Sequence, residues 1–249
     1  MRTAIISFFV VSLMAAGAAA DVLVKQVVRL EPYYDGVPQG GTDTAIDLWF
    51  GTGKLAVVTP EARIIFDPAA KRLFAVSTGD SSYCEIELPV NRDSVLAGDY
   101  KARIDRWYFE GSVSKGGEEK TIDGRRCASY RCERWIQLGE DKFNESERAL
   151  WLTTDVPFDW KLHKGLQEAI LSLARNSDAL LEAMKKLQGF TVAGEIVVYD
   201  MGNKITSTVS TLAVEASAAP EGCYSVPSYC TKKARLTRED FLALLQLVY

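Results

Sequence analysis

The sequence predicts an α+β fold that is mainly β: a curved antiparallel sheet of half-barrel form, with two inserted helices and a C-terminal helix. Three observations predict it. Period-two alternation broken by Gly, Pro and Asp turns dominates residues 22 to 153, and a second β region rich in Val, Ile and Thr follows residue 190. Helical spacing of large apolar residues falls between these stretches and again at the C-terminal end.

Residues 1 to 20 read as a secretory signal: Arg2 supplies positive charge, residues 4 to 16 are apolar, and Ala18-Ala19-Ala20 offers small residues for cleavage. The apolar run is short for a bilayer anchor. Export is therefore expected, to the periplasm or alternatively the extracellular space, with residues 21 to 249 as one β-rich domain. The 249 residues carry 29 Lys+Arg against 33 Asp+Glu, with 47% hydrophobic residues. That balance excludes a disordered or collagen-like chain and gives no global attraction to nucleic acid.

Within the first β region, Cys84, Ile86 and Leu88 share one strand face while Tyr83, Glu85 and Glu87 share the other. Residues 62 to 66 and 72 to 76 form a hairpin about Asp67-Pro68, where Pro68 presets the turn and Asp67 bonds the backbone beyond it. Gly51-Thr52-Gly53-Lys54 precedes a strand and reads as a hairpin turn rather than a phosphate loop. Residues 36 to 41 and 114 to 120 read as loops. The second hairpin joins residues 191 to 199 and 204 to 214 through Asp200-Met201-Gly202-Asn203.

Leu162, Leu166, Ile170 and Leu173, then Leu180, Met184 and Leu187, have helical spacing, and Gly189 stands where a C-cap belongs. The last helix starts at Thr237, capped through Asp240, with Phe241, Leu242, Leu245 and Val248 as its stripe.

Five cysteines, Cys84, Cys127, Cys132, Cys223 and Cys230, point to disulfides in an exported protein. On a regular strand Cys127 and Cys132 lie about 16 Å apart on opposite faces, so they do not pair. Cys223 with Cys230 is the first choice, Cys84 with Cys127 or Cys132 the second, and one thiol remains. A zinc site of Cys127, Cys132, Cys223 and Cys230 lacks the tight C-x-x-C spacing, so neither metal nor other cofactor is expected.

His163 is the only imidazole, and any Ser-His-Asp arrangement has to use it. It sits at the margin of the helical stripe as a partly exposed residue, and no G-x-S-x-G turn is present. Glu118-Glu119 and Glu140-Asp141 fall in polar connections. The cluster Lys232, Lys233, Arg235, Arg238 supports at most peripheral membrane contact. Asn144-Glu145-Ser146 has the glycosylation pattern.

Large aromatics fill a curved sheet as core, but Trp107, Phe109 and Trp135 also suit the lining of an apolar cavity closed by Leu162, Leu166 and Ile170. Several short motifs occur in order: residues 64 to 85, Lys120-Thr121-Ile122-Asp123-Gly124-x-x-Cys127-x-x-Tyr130, Trp151-Leu152, Gly189-Phe190 and Tyr224-Ser225-Val226-Pro227. Together they resemble an uncharacterised bacterial family of exported domains, similar in layout to periplasmic lipoprotein carriers. The resemblance spans residues 49 to 233 and implies a half-barrel with a helical lid over a lipid-like ligand.

The functional expectation is a non-catalytic exported binding protein for an acyl chain, a related hydrophobic molecule or a lipidated partner protein. Two alternatives are an envelope interaction module whose concave face is filled by its own helices, and a hydrolase dependent on His163.

Overall fold

The computed structural model describes residues 21–34, 36–200 and 203–246. The signal-like segment, the Met201-Gly202 turn centre and Val248 lie outside them, as do the side chains of Asn144, Leu242 and Leu245.

Seven strands come first: β1 (Val22–Tyr34), β2 (Val37–Pro38), β3 (Thr42–Gly51), β4 (Lys54–Val58), β5 (Ala62–Asp67), β6 (Arg72–Ser77) and β7 (Ser82–Glu87). Two short helices, α1 (Arg92–Val95) and α2 (Gly98–Ile104), lead to three long strands, β8 (Tyr108–Ile122), β9 (Arg125–Leu138) and β10 (Asp141–Thr153). Then come α3 (Trp160–Leu171), β11 (Arg175–Asn176), α4 (Asp178–Met184), β12 (Phe190–Asp200), β13 (Asn203–Ala216), β14 (Thr231–Lys233) and α5 (Arg238–Gln246).

All strands join one open sheet in the order β11-β8-β9-β10-β12-β13-β1-β3-β4-β5-β6-β7-β14, with β2 on β1. Pairing is antiparallel except at the two edges, where β11 and β14 run parallel to β8 and β7. These short parallel strands cover only part of each edge, Tyr108 and Phe109 of β8 and Ser82 to Cys84 of β7.

The sheet wraps around α3. A Cβ on Gly165 would lie 3.2 Å from the Phe66 ring of β5, while the His163 ring of the same helix packs 5.2 Å from Phe190 of β12. Strands β5 and β12 are five places apart in the sheet, about 24 Å if it were flat, whereas a helix is about 10–12 Å across. Alternation then sorts the β1 side chains. Val22 and Val24 join the core with Leu162, Leu166, Ile170 and Phe190, while Leu23 faces away into a small outer cluster with Trp49, Ala56 and Cys223.

The turn chemistry of the β5–β6 hairpin holds as expected: the Asp67 carboxylate accepts the Ala70 amide at 2.9 Å and pairs with Lys54 at 2.8 Å. The two-residue turn after Gly51 brings Gly51 opposite Lys54, with Gly53 at φ +70°. At α5, Asp240 accepts the Thr237 amide while Thr237 caps the Asp240 amide in return, and Phe241 and Leu244 are buried.

Four expectations are corrected. Residues 114–120 belong to β8, where a register shift between Lys115 and Glu119 absorbs the glycines that suggested a loop. Residues 36–41 are interrupted by β2. The run from 22 to 153 is not all strand, because Asn91 caps α1 through the Asp93 amide and α2 follows. Gly189 does not cap a helix, since α4 ends at Met184. Gly189 sits at φ +111° where a Cβ would lie 2.5 Å from the Thr153 carbonyl oxygen, so it lets the chain enter β12 against β10.

Candidate functional site

Helix α4 covers the long wing β8–β10 on the concave side. Leu180, Ala183 and the following Leu187 pack with Val113, Tyr130, Cys132, Leu150 and Leu152. The approach is close enough to require Gly111 on β8, where a Cβ would fall 2.3 Å from the Glu133 carbonyl oxygen and 2.8 Å from Leu180 Cδ1. With seven residues, α4 is too short to be stable alone and depends on this packing.

Its two ends are held differently. At the N-terminal end, β11 pairs with β8, the Ser177 amide donates to the Phe109 carbonyl at 2.8 Å, and Ser177 Oγ caps the Leu180 amide at 3.1 Å. At the C-terminal end, Lys164 of α3 reaches across and donates to the Lys185 and Leu187 carbonyls at 2.9 and 3.0 Å. Lys164 thereby serves carbonyls just beyond the last turn of α4, sharing that of Lys185 with the Gln188 side-chain amide.

Between α3, α4 and β9, β10 and β12 lies an enclosed space of about 40 Å³. Leu150, Leu152, Ile170, Met184, Leu187 and Ile196 supply its apolar wall, and Lys164, Arg134, Arg148 and Gln167 its polar edge. No carboxylate lines it among the described residues. It has room for a water molecule or so, far below the several hundred Å³ of a small-molecule site. A larger groove of about 450 Å³ between the β5–β6 hairpin and α5 is open to solvent, with exposed Pro60, Glu61 and Thr78 on its walls.

Of the six residues chosen from the sequence as cavity lining, only Ile170 borders the enclosed space. Leu162 and Leu166 are buried deeper, in the main core. Phe109 stands opposite Ile136 on the inner face, with the Arg134 guanidinium 3.6 Å from its ring centre, so it supports a seam residue from behind. Trp135 stands opposite Glu110 on the other face, under Lys142 and hydrogen-bonded to Gln137. Trp107 follows α2 and is 45% exposed. The fold therefore does not bring the six together. The seam residues that sequence reasoning missed, Lys164, Arg134, Arg148 and Met184, come from four elements. The only early signal among them was Met184 on its helical stripe.

All five cysteines are free thiols, which corrects the expected bridges. Cys84 and Cys127 lie in the main core as separate free thiols, on β7 and β9, while Cys132 lies under α4 and Cys223 in the outer cluster. Residues 220–230 run through separate turns closed by Cys223 on Pro220 and Cys230 on Pro227, leaving the Cys223 sulfur inside and Cys230 half-buried. Burial pushes the Cys84 and Cys223 thiols up to about 11 and raises Cys127 and Cys132 as well. No cluster of three or more metal-ligating side chains occurs among the described residues.

His163 is 3% exposed rather than at the helix margin, and its ring meets Phe190 edge to face. Desolvation pushes its pKa down to about 4, so it is neutral at physiological pH. No helix among the described residues is long and apolar enough to cross a membrane. The chain matches no known protein-family profile, and it matches no curated protein.

Proposed function

We propose that this chain is an exported, non-catalytic binding protein that takes up an acyl chain, a related hydrophobic molecule or the lipid of a lipidated partner beneath α4. One observation carries the reading. A two-turn helix, anchored at one end through β11 and Ser177 and held at the other by Lys164 with help from Gln188 on the Lys185 carbonyl, is the cover of an apolar floor on β8–β10. Lifting its C-terminal end exposes Leu150, Leu152 and Tyr130 without dismantling the main core around α3. Burying two leucines stabilises the closed form by on the order of 3–6 kcal/mol, a range within reach of local opening. The signal-like residues 1 to 20 support export.

Production in an exporting host, followed by organic extraction and mass spectrometry, tests this. A lipid recovered in near-stoichiometric amount is expected; its absence, with no uptake of a fluorescent fatty acid, overturns the reading. A second reading, an envelope interaction module with a filled interior, is favoured by the small enclosed space of about 40 Å³. It expects the same experiment to be negative. The hydrolase reading needs His163, which is sealed against Phe190; retention of any measured hydrolysis in His163→Ala removes it.

A further inference from the structure

We infer that the seam beneath α4 selects single-chain amphiphiles with an anionic headgroup, and that Lys164 is the residue that exchanges the α4 carbonyls for that headgroup. The inference rests on the proposed uptake of a hydrophobic ligand and adds the chemistry of its polar end. Three cationic side chains, Lys164, Arg134 and Arg148, edge the seam, and no carboxylate shares it among the described residues. Arg134 lies toward the β11 end, over Phe109 and donating to Asn176, whereas Lys164 stands at the C-terminal end of α4; an apolar wall with an ammonium at that end is the complement of an alkyl chain ending in a carboxylate, sulfate or phosphate.

Lys164 carries the argument. It is half-buried, and its ammonium donates to two neutral carbonyls, of Leu187 and of Lys185, the latter shared with the Gln188 amide, with no carboxylate in ion-pair distance among the described residues. An ammonium has three donors and a full charge; two carbonyl dipoles use two donors and leave the charge without a counter-ion. A charge-assisted bond to an anion is roughly twice as strong as one between neutral groups. An anionic headgroup arriving at the seam thus competes for Lys164 against the carbonyls at the C-terminal end of α4. Capture of the headgroup releases the latch, and the alkyl chain replaces Leu187 and Met184 on the apolar wall. The anchored end stays in place through β11 and Ser177.

Dodecanoate and 1-dodecanol share a chain and differ in headgroup charge, so calorimetric titration of the full chain with each separates the two claims. Dodecanoate is expected to bind about tenfold more tightly than dodecanol. Lys164→Gln is expected to abolish that advantage while dodecanol affinity holds or rises, and Lys164→Arg to keep most of it. A dodecanoate preference unchanged in Lys164→Gln, or equal binding of the two ligands by the native protein, overturns headgroup selection and leaves apolar uptake standing. Failure of both ligands to bind the native protein overturns the uptake reading and this inference with it. Leu150→Trp, which fills the apolar wall, is expected to weaken both ligands alike; unchanged binding places the ligand elsewhere and overturns the inference.

Discussion

Replacing His163 with Gln removes the only imidazole of the chain from the core beside Phe190. In the folded protein His163 ionises at about 4, against about 6.5 for an unperturbed histidine in the unfolded chain. The folded state thus holds the neutral form, and the associated stability is fully present above about pH 6.5. It is lost as pH falls, because the unfolded chain takes up a proton that the folded protein refuses. The span of about 2.5 pH units corresponds to about 3 kcal/mol, of which about 2 kcal/mol is already lost by about pH 5. Urea unfolding of both proteins at about pH 7 and about pH 5 isolates this contribution, since the carboxylates that titrate lower are common to both. His163→Gln is expected to start less stable near neutrality, because an amide is forced into an apolar site. Its loss of stability between the two pH values should be smaller than the native protein's by about 2 kcal/mol. Identical pH dependence in the two proteins would show that His163 is solvated or partnered, and would refute the reasoning.

Gly189→Ala is expected to cost at least about 2–3 kcal/mol in thermal or urea unfolding, because a positive φ and a clash with the Thr153 carbonyl coincide there. Gly53→Ala, also at positive φ but with open space around its Cβ, should cost about 1–2 kcal/mol; equal losses at the two sites contradict the close approach. Asp67→Ala, which deletes the bond to the Ala70 amide and the Lys54 pair, should cost about 1–2 kcal/mol, and no loss would show that the turn closes without it. Thiol titration without reductant should find slow, partial reaction at Cys230 in the folded protein and five reactive thiols after unfolding. Fewer than five after unfolding would mean that bridges exist.

The β architecture was legible because alternation and turn residues are local. Pro68 with Asp67, Gly51 to Lys54, and the 191–214 hairpin each encode their own geometry within a few residues. The Thr237–Asp240 cap and the Leu162–Leu166–Ile170 stripe were legible for the same reason. What failed depended on partners distant in the chain. The glycines of residues 114–120 suggested a loop, but Lys115 and Glu119 on either side pair with β9 and the register shift between them keeps the run in strand. Helices α1 and α2 are too short to show a period, and their stability comes from Val95, Leu96 and Ile104 packing in the core. The candidate site was least legible. Whether Phe109 and Trp135 share a face depends on the phase of β8 and β9, and alternate positions place them on opposite faces. The role of Lys164 arises only when α4 folds back to set its last carbonyls beside α3. A half-barrel with helices on its concave side was therefore readable, whereas the seam that those helices close was not.

Hydrogen exchange of the full chain, resolved by mass spectrometry, tests the movable cover most directly. The amides of α4 and residues 185–187 are expected to exchange faster than those of α3 and β12 in the free protein, and to slow when dodecanoate is added. Exchange in α4 as slow as in β12, and unchanged by ligand, would contradict a helix that opens.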